Sequence, residues 1–442
     1  MKNSLNITRL IFLLIISLYS LYFINFSKII TDWVAVDLLI NYEGGFTRRG
    51  LLGQINLFFE KKLNFSNLFF SIIFIFFIYI INISITYFRL PNNKNRFFLF
   101  LLIFLSPATF LFYIYDLNSL FRKDVFIILS FIIHCFFIQL NYTKLNFYQS
   151  YRKKLFIFIF IICLVTLIHE VQFFMLSFHI LLSYSILKNF KSTLLFYIFP
   201  VLTFVIVWIF KGNYLIAEDI RQSLSHYPKD LIYKNYNPIH WLEGSLGLVI
   251  GGFIKFFFYY TYSAAIEFLI TIFLSIVLFW NILVRYFDQF FLENITLSSI
   301  NLKFIKDYSY IFFFFSFFLF FFIGFDAGRA MHFLTMHIIS FYLIFIPKKE
   351  IFTFFNYNNK YRNIIFFIIF CYFSVWTLPT GYAGMNEVST LFQSGLLYNT
   401  KVILAYLINM SSNFVELPVF LEASYADNFI TKYLIFNNPS KF

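Results

Sequence analysis

The chain has 442 residues, of which 60% are hydrophobic and only 12% charged, with a mean hydropathy of +0.78. A soluble domain has about a quarter of its residues charged, so this composition argues against a soluble globular protein. The formal net charge of +13 does not point to nucleic acid, because the basic residues gather in short loops between apolar runs rather than in one soluble domain.

Apolar runs near the ~20 residues that cross ~30 Å of hydrocarbon as a helix recur along the chain. They predict an all-α polytopic membrane protein of about 11 spans, at 9–29, 67–88, 97–115, 125–141, 155–168, 171–187, 193–210, 262–284, 309–325, 333–347 and 363–379. The first run, LIFLLIISLYSLYFINF, is too long for a signal-peptide core and is read as a retained span. A long loop, 30–66, follows it, and RGLLGQINLFFEKKL within that loop has helical apolar spacing suited to the membrane interface. A second long segment, 211–261, ends in an apolar, Gly-rich stretch (246–260) that fits a re-entrant or interfacial hairpin. The tail, 380–442, carries amphipathic pieces such as GLLYNTKVILAYLINM. No internal repeat or linker divides the chain, so residues 1–442 are expected to form a single integral membrane domain.

Charge bias orients the spans. The connections RLPNNKNR, KLNFYQSYRKK, KNFK and KKEIFTFFNYNNKYR, with the amino terminus and loop 285–307, hold 18 of the 34 Lys and Arg but 4 of the 21 Asp and Glu. That side is expected to be the cytoplasm, with the amino terminus inside. Loops 30–66 and 211–261 and the tail then lie outside. Cys135, Cys163 and Cys371 all fall in apolar runs without metal-ligand spacing, so neither a disulfide framework nor a zinc site is expected. The 73 Phe and 31 Tyr read as the apolar vocabulary of an AT-rich genome rather than as an aromatic recognition surface.

On this map the unusual polar clusters share the outer face. They are Asp37, Glu43, Arg48 and Arg49 around YEGGFTRRG; Asp116, Arg122, Lys123 and Asp124 in YDLNSLFRKD; His169 and Glu170; and Asp326, Arg329 and His332 in GFDAGRAMH. Charged groups at membrane depth are costly and are kept mainly where they pair or line a cavity. Mixed signs let carboxylate and guanidinium compensate each other while leaving donors and a base for a substrate. Each cluster also has a plainer reading. The YEGGFTRRG arginines, Arg122 and Lys123 could anchor at headgroups, Asp124 could cap a helix, and Asp326 could pair with Arg329 at i, i+3. His134, His179 and His337 lie within spans and read as core, whereas HWLEG in the second loop could line an acceptor groove.

The arrangement resembles the integral-membrane glycosyltransferases of the GT-C type and the O-antigen polymerases of the Wzy class. In sequence the resemblance rests on DLLINYEGGFTRRGLLGQI and the His169–Glu170 pair. It implies a GT-C-like fold in a bacterial inner membrane with a periplasmic active face. It implies polymerisation of undecaprenyl-pyrophosphate-linked repeat units, with membrane lipid and a chain-length regulator protein as further partners, and no nucleic acid. Many such polymerases keep their arginines in one or two large loops. Here the first loop and small turns carry them, which shifts weight toward a GT-C-like glycosyltransferase using an acid in the first loop; an enzyme adding a single sugar and a lipid-linked-sugar flippase are the alternatives. Glu170 or His169 is expected as the base, with Asp37 and Glu43 as rivals. Arg48, Arg49 and Arg329, with Arg122 behind them, are expected to bind pyrophosphate, with Asp326 and His332 beside the sugar. Asp37 and Glu43, six residues apart in a loop, form no recognisable metal signature, so neither a metal nor another cofactor is predicted.

Overall fold

The computed structural model of the chain describes residues 8–14, 16–17, 32–63, 67–90, 96–112, 122–141, 147–187, 189–233, 237–243 and 327–345. The expected spans at 262–284, 309–325 and 363–379, most of 9–29, the hairpin 246–260, the tail 380–442, and Asp116 and Asp326 lie outside the described residues. Among the described residues all regular structure is helical and no strand occurs. After a helical stretch at 8–14 come α1 (Asp32–Leu39), α2 (Gly50–Leu63), α3 (Asn67–Arg89), α4 (Arg96–Phe104), α5 (Asp124–Asn141) and α6 (Phe147–Ile168). A 3-10 turn (Glu170–Met175) leads into α7 (Leu176–Leu187) and α8 (Phe190–Ile209). Then follow α9 (Tyr214–Ser223), the single-turn helices α10 (Lys229–Ile232) and α11 (His240–Glu243), and α12 (Ala327–Phe345).

Three helices among the described residues are long and apolar enough to cross a membrane: Ser71–Arg89 within α3, Asp124–Asn141 (α5) and Phe190–Ile209 (α8). The 20 residues of α8 rise about 30 Å, the thickness of the hydrocarbon layer. Leu195, Phe199, Leu202, Ile206 and Ile209 form an apolar stripe on α8 that is 47–68% exposed. A face of this kind suits lipid rather than water, as a helical membrane protein requires.

Elsewhere the helices depart from the expected spans for local reasons. The span expected at 97–115 stops at Phe104, because Pro107 bars helical backbone at Ser106. Residues 106–112 instead close two tight turns, with Thr109 N–H donating to Ser106 O and Phe112 N–H to Thr109 O, both at 3.1 Å. Helix α6 begins at Phe147, well before the expected 155, since Tyr151 and Leu155 bury one face while Arg152, Lys153 and Lys154 stay exposed on the other. The span expected at 171–187 divides into the 3-10 turn and α7.

Helices α3 to α8 and α12 share one core, in which Tyr79, Phe100, Phe131 and Tyr151 are fully buried. Helices α3 and α5 run parallel: Asn82 donates to Val125 O near one end, and Arg89 Nε donates to Gln139 Oε1 (2.9 Å) near the other. Arg89 belongs to one of the basic connections, yet it is 2% exposed and also donates to Ser340 O, so it ties α3 to α5 and α12 rather than facing solvent. A second, smaller core joins Val36, Leu39 and Ile40 to Ala217, Ile220 and Leu224 of α9 and to Leu242 of α11. Helix α1 joins the two cores, with Val34 and Leu38 in the larger and Val36 and Leu39 in the smaller.

Candidate functional site

The polar knot YEGGFTRRGLLG is shaped by close backbone approach. Tyr42 to Gly45 form a turn closed by Gly45 N–H to Tyr42 O (3.0 Å), and Gly45 has φ 113°, a left-handed conformation natural to glycine. A Cβ on Gly44 would lie 2.7 Å from Ile216 O of α9, and one on Gly53 would lie 1.9 Å from Ile40 O. Only glycine lets α2 and α9 press against this segment. Thr47 Oγ1 donates to Lys211 O (3.1 Å) and fixes the exit of the turn. Arg49 itself has φ 64°, a strained conformation for a residue with a side chain, held at the entry to α2.

The strained Arg49 is the centre of a continuous ionic network. Its Nε lies 2.9 Å from both Glu170 oxygens and its Nη2 is 2.6 Å from Glu170 Oε1, while Nη1 reaches Asp37 Oδ1 at 3.3 Å. Lys123, wholly buried, donates to Asp37 O (2.6 Å) and Arg49 O (2.9 Å) and stands 3.6 Å from Asp37 Oδ2. From Glu170 the network passes to His169, whose Nδ1 is 3.5 Å from Glu170 Oε2 and whose Nε2 is 3.3 Å from Asp124 Oδ1. Arg329 grips Asp124 through Nε and Nη2, and its Nη2 is 2.7 Å from His169 Nε2. Helix α1, the loop before α2, the start of α5, the turn after α6 and the first turn of α12 thus meet at one end of the helices.

Burial works to raise the Asp37 carboxyl, but the charges of Lys123 and Arg49 overcome it and hold the group below its usual range. The same contest at Glu170, with Arg49 and His169 against burial, leaves that carboxyl well below its usual range. Both are fixed anions. Arg49 goes the other way: burial opposes its charge, yet Glu170 and Asp37 hold the guanidinium more firmly protonated than usual.

His169 also caps the 3-10 turn, its Nδ1 accepting from Val171 N–H at 3.4 Å. Each ring nitrogen therefore faces a donor and an acceptor: Nδ1 has the Val171 N–H and the Glu170 carboxylate, and Nε2 has the Arg329 guanidinium and the Asp124 carboxylate.

Of the residues singled out from the sequence, Asp37, Arg49, His169, Glu170 and Arg329 come together here. Arg48 sits beside them on a different partner: its Nη2 donates to Trp241 O of α11 at 2.6 Å, and its Nε is buried without a hydrogen bond. HWLEG thus meets the first loop through the Trp241 carbonyl. Glu43 stands exposed at the tip of the turn, and Arg122 is half-buried beside Lys123. His332 lies further along α12, stacked on Phe112 with ring centroids 4.6 Å apart and with Nδ1 3.1 Å from Ala108 O.

Two members were not among the expected ligands. For Asp124 and Lys123 the sequence left a helix cap and an interface anchor open beside a place in the polar clusters, and the structure buries both within the network. Arg329, for which the sequence also offers Asp326 at i, i+3 as a partner, bonds Asp124, 205 residues away in sequence; Asp326 lies outside the described residues. Only the unbroken run of charges in RKD, directly before an apolar helix, hinted at this. Among the described residues no three His, Cys, Asp or Glu side chains are grouped to hold a metal ion. No protein-family model matches the chain, and neither a curated protein nor a solved structure is detectably similar to it.

Proposed function

We propose that the chain is an integral-membrane glycosyltransferase that transfers sugar from a polyprenyl-pyrophosphate carrier, as a polymerase of repeat units or as a GT-C-like single-sugar enzyme. The reaction would take place at the end of the helices where the ionic network lies, on the periplasmic side of a bacterial inner membrane. The observation that carries the reading is the difference between the arginines. Arg49 and Arg329 have their forks filled by Glu170 and Asp124, whereas the donor group of Arg48 meets only a backbone carbonyl. Arg48 therefore brings a positive charge that no carboxylate hydrogen-bonds, beside a network that is otherwise balanced. A diphosphate supplies the missing anion, and a guanidinium fork matches its oxygens.

In the reaction the bond from sugar C1 to the phosphate oxygen breaks with its electrons, and the acceptor oxygen bonds to C1. The acceptor loses its proton to Glu170. Such a strongly ionised carboxylate is a weak base, but a sugar hydroxyl becomes acidic once its oxygen has begun to bond to an oxocarbenium-like carbon, so late removal suffices. His169 Nδ1 can take the proton onward, with Asp124 stabilising the resulting imidazolium.

The test is transfer from a synthetic polyprenyl-pyrophosphate oligosaccharide by purified protein, with and without EDTA. Arg48→Ala and Glu170→Gln should abolish product while the protein still inserts. Undiminished product from both variants would overturn the reading, and activity lost in EDTA and restored by Mg²⁺ would replace arginine-only binding with a metal. In cells, deletion should leave single repeat units for a polymerase and a truncated repeat for a single-sugar enzyme. One observation favours the flippase alternative: His134, His179 and Tyr151 lie deep between helices, where transporters keep polar groups. Carrier translocation in proteoliposomes without any glycosidic product would establish it.

A further inference from the structure

The apolar core contains a second polar network with no charged member. It joins α5, α6, the 3-10 turn, α7 and α8, and its hydrogen atoms can be placed by elimination. Tyr197 OH lies 2.8 Å from His179 O, and a carbonyl only accepts, so the Tyr197 hydroxyl donates. Its one proton is then spent, so Ser183 donates to Tyr197 OH (2.7 Å) and Tyr151 in turn donates to Ser183 (2.8 Å). His134 Nε2, 2.7 Å from Tyr151 OH, must therefore carry hydrogen.

The ring is wholly buried with no carboxylate in this network, so it is neutral and its Nδ1 is bare. His179 Nδ1, 3.0 Å away, supplies the proton to that contact. His179 Nε2 is then an acceptor and takes a hydrogen from Gln172 Nε2 at 3.3 Å. Ser130 Oγ, which donates to Ile127 O at 2.8 Å, stands 3.3 Å from Gln172 Oε1 at the edge of the network. One hydrogen-bond polarity runs from Gln172 through His179, His134, Tyr151, Ser183 and Tyr197 and closes on the backbone of His179. A closed circuit of these six side chains, each 0–1% exposed, is a clamp rather than a conduit.

The clamp holds a functional element. Gln172 lies two residues beyond Glu170 in the 3-10 turn, and its backbone N–H donates to His169 O at 3.1 Å. We infer that Gln172 is a positioning residue, fixed by His179, His134 and Tyr151, that sets the turn from which His169 and Glu170 reach Asp124 and Arg49. The inference rests on the proposed transfer reaction only for its catalytic consequence; the proton positions stand apart from it. A misplacement of about 1 Å can cost on the order of 10² in rate, so the anchor of this turn matters although it touches no substrate.

The test uses the full chain, labelled with ¹⁵N-histidine and reconstituted in lipid nanodiscs. Spectra should show His134 with hydrogen on Nε2 and His179 with hydrogen on Nδ1; the same tautomer for both, or a charged ring at pH 7, would overturn the inference. Gln172→Leu should shift the His169 signals and lower kcat on the order of 10²-fold with KM nearly unchanged. An unmoved His169 spectrum in that variant would refute the positioning role.

Tyr151→Phe supplies a second variant if Gln172→Leu does not insert. It removes the acceptor for His134 Nε2–H, so the two histidines should exchange tautomers; retention of the original pair would refute the assigned polarity. If the parent protein transfers no sugar, the proposed function fails, while the tautomers and the His169 shift still decide the inference.

Discussion

Replacing Asp124 with Asn tests whether the network is held together by ion pairing in a buried setting or is a collection of exposed contacts. The Asp124 side chain is 1% exposed and its main partner, Arg329, 13% exposed, so solvent screens the pair little. The variant keeps the shape of the side chain and removes the charge that Arg329 and the Nε2 edge of His169 face. Breaking a buried pair from one side costs about 3–5 kcal/mol, a factor of roughly 10²–10³ or more in the folded-to-unfolded ratio. Arg329→Met should cost a similar amount, because it leaves Asp124 buried and uncompensated.

The double variant should lose much less than the sum, since replacing a buried pair by neutral groups is often nearly neutral. The coupling should reach at least about 2 kcal/mol. Equilibrium unfolding by SDS titration in mixed micelles reads all four corners of the cycle. Single variants within about 0.5 kcal/mol of the parent, with no coupling, would be the behaviour of an exposed surface pair and would refute the reasoning.

Three further outcomes are expected. Glu170 and Asp37 are depressed in the folded state, so the stability they confer is fully present above the ordinary carboxylate range and is lost as pH falls from that range through their lowered values. The acid limb of thermal unfolding, below about pH 4.5, should therefore be shallower in Glu170→Gln than in the parent; an unchanged acid limb in that variant would remove Glu170 from the network. Gly53→Ala should destabilise by more than the usual ~1–3 kcal/mol of overpacking, because the added methyl meets the Ile40 carbonyl, so a melting temperature equal to the parent's would contradict the packing. Arg48→Ala should bind a pyrophosphate-bearing lipid at least about tenfold more weakly with little loss of stability, whereas Arg49→Ala should lose both; equal behaviour in lipid-binding and melting assays would contradict the distinction.

Much of the helical architecture is legible in sequence because apolar length alone dictates it. Helices α3, α5 and α8 begin and end within a few residues of the expected spans, where a long hydrophobic run meets Asn67, Asp124 or Asn189 and ends near a polar residue. Where the helix boundary depends on a local backbone restriction, the apolar count misleads. Pro107 ends α4 inside a run that is greasy throughout, and the amphipathic start of α6 carries helix into a stretch too basic to count as a span. The positive-inside pattern marked Arg89 as a loop cation, but a guanidinium at a helix end can also bracket neighbours, and here it bonds Gln139 and Ser340 O. Within the site, Arg49, Asp37, His169 and Glu170 stood out because charge is rare in such a chain. Asp124 and Lys123 did not, since a carboxylate opening a helix and a lysine beside it are what any interfacial helix start displays. Their role depends on residues 86 and 205 positions away, and no local pattern encodes that distance.

The arithmetic of the network bears on what it is for. Among the described residues Asp37, Glu170 and Asp124 carry three negative charges; Arg49, Lys123 and Arg329 carry three positive ones; His169 sits between two of the acids. A balanced set of this kind costs little to bury compared with any of its members alone, and it resists change, because moving one charge uncompensates another. It is consequently a poor reservoir of free cations for a substrate and a good mount for side chains that must keep their geometry. Arg48 is attached to that mount through adjacency to Arg49 and through the Trp241 carbonyl, and it lies outside the balance. An anion arriving at Arg48 would meet a positive charge already desolvated and aimed, beside a carboxylate and an imidazole held still by their neighbours. The acids near the site thus immobilise the arginines around them, and under the proposed transfer reaction only Glu170, at the edge of the network with a 12% exposed side chain, would serve the acceptor as well.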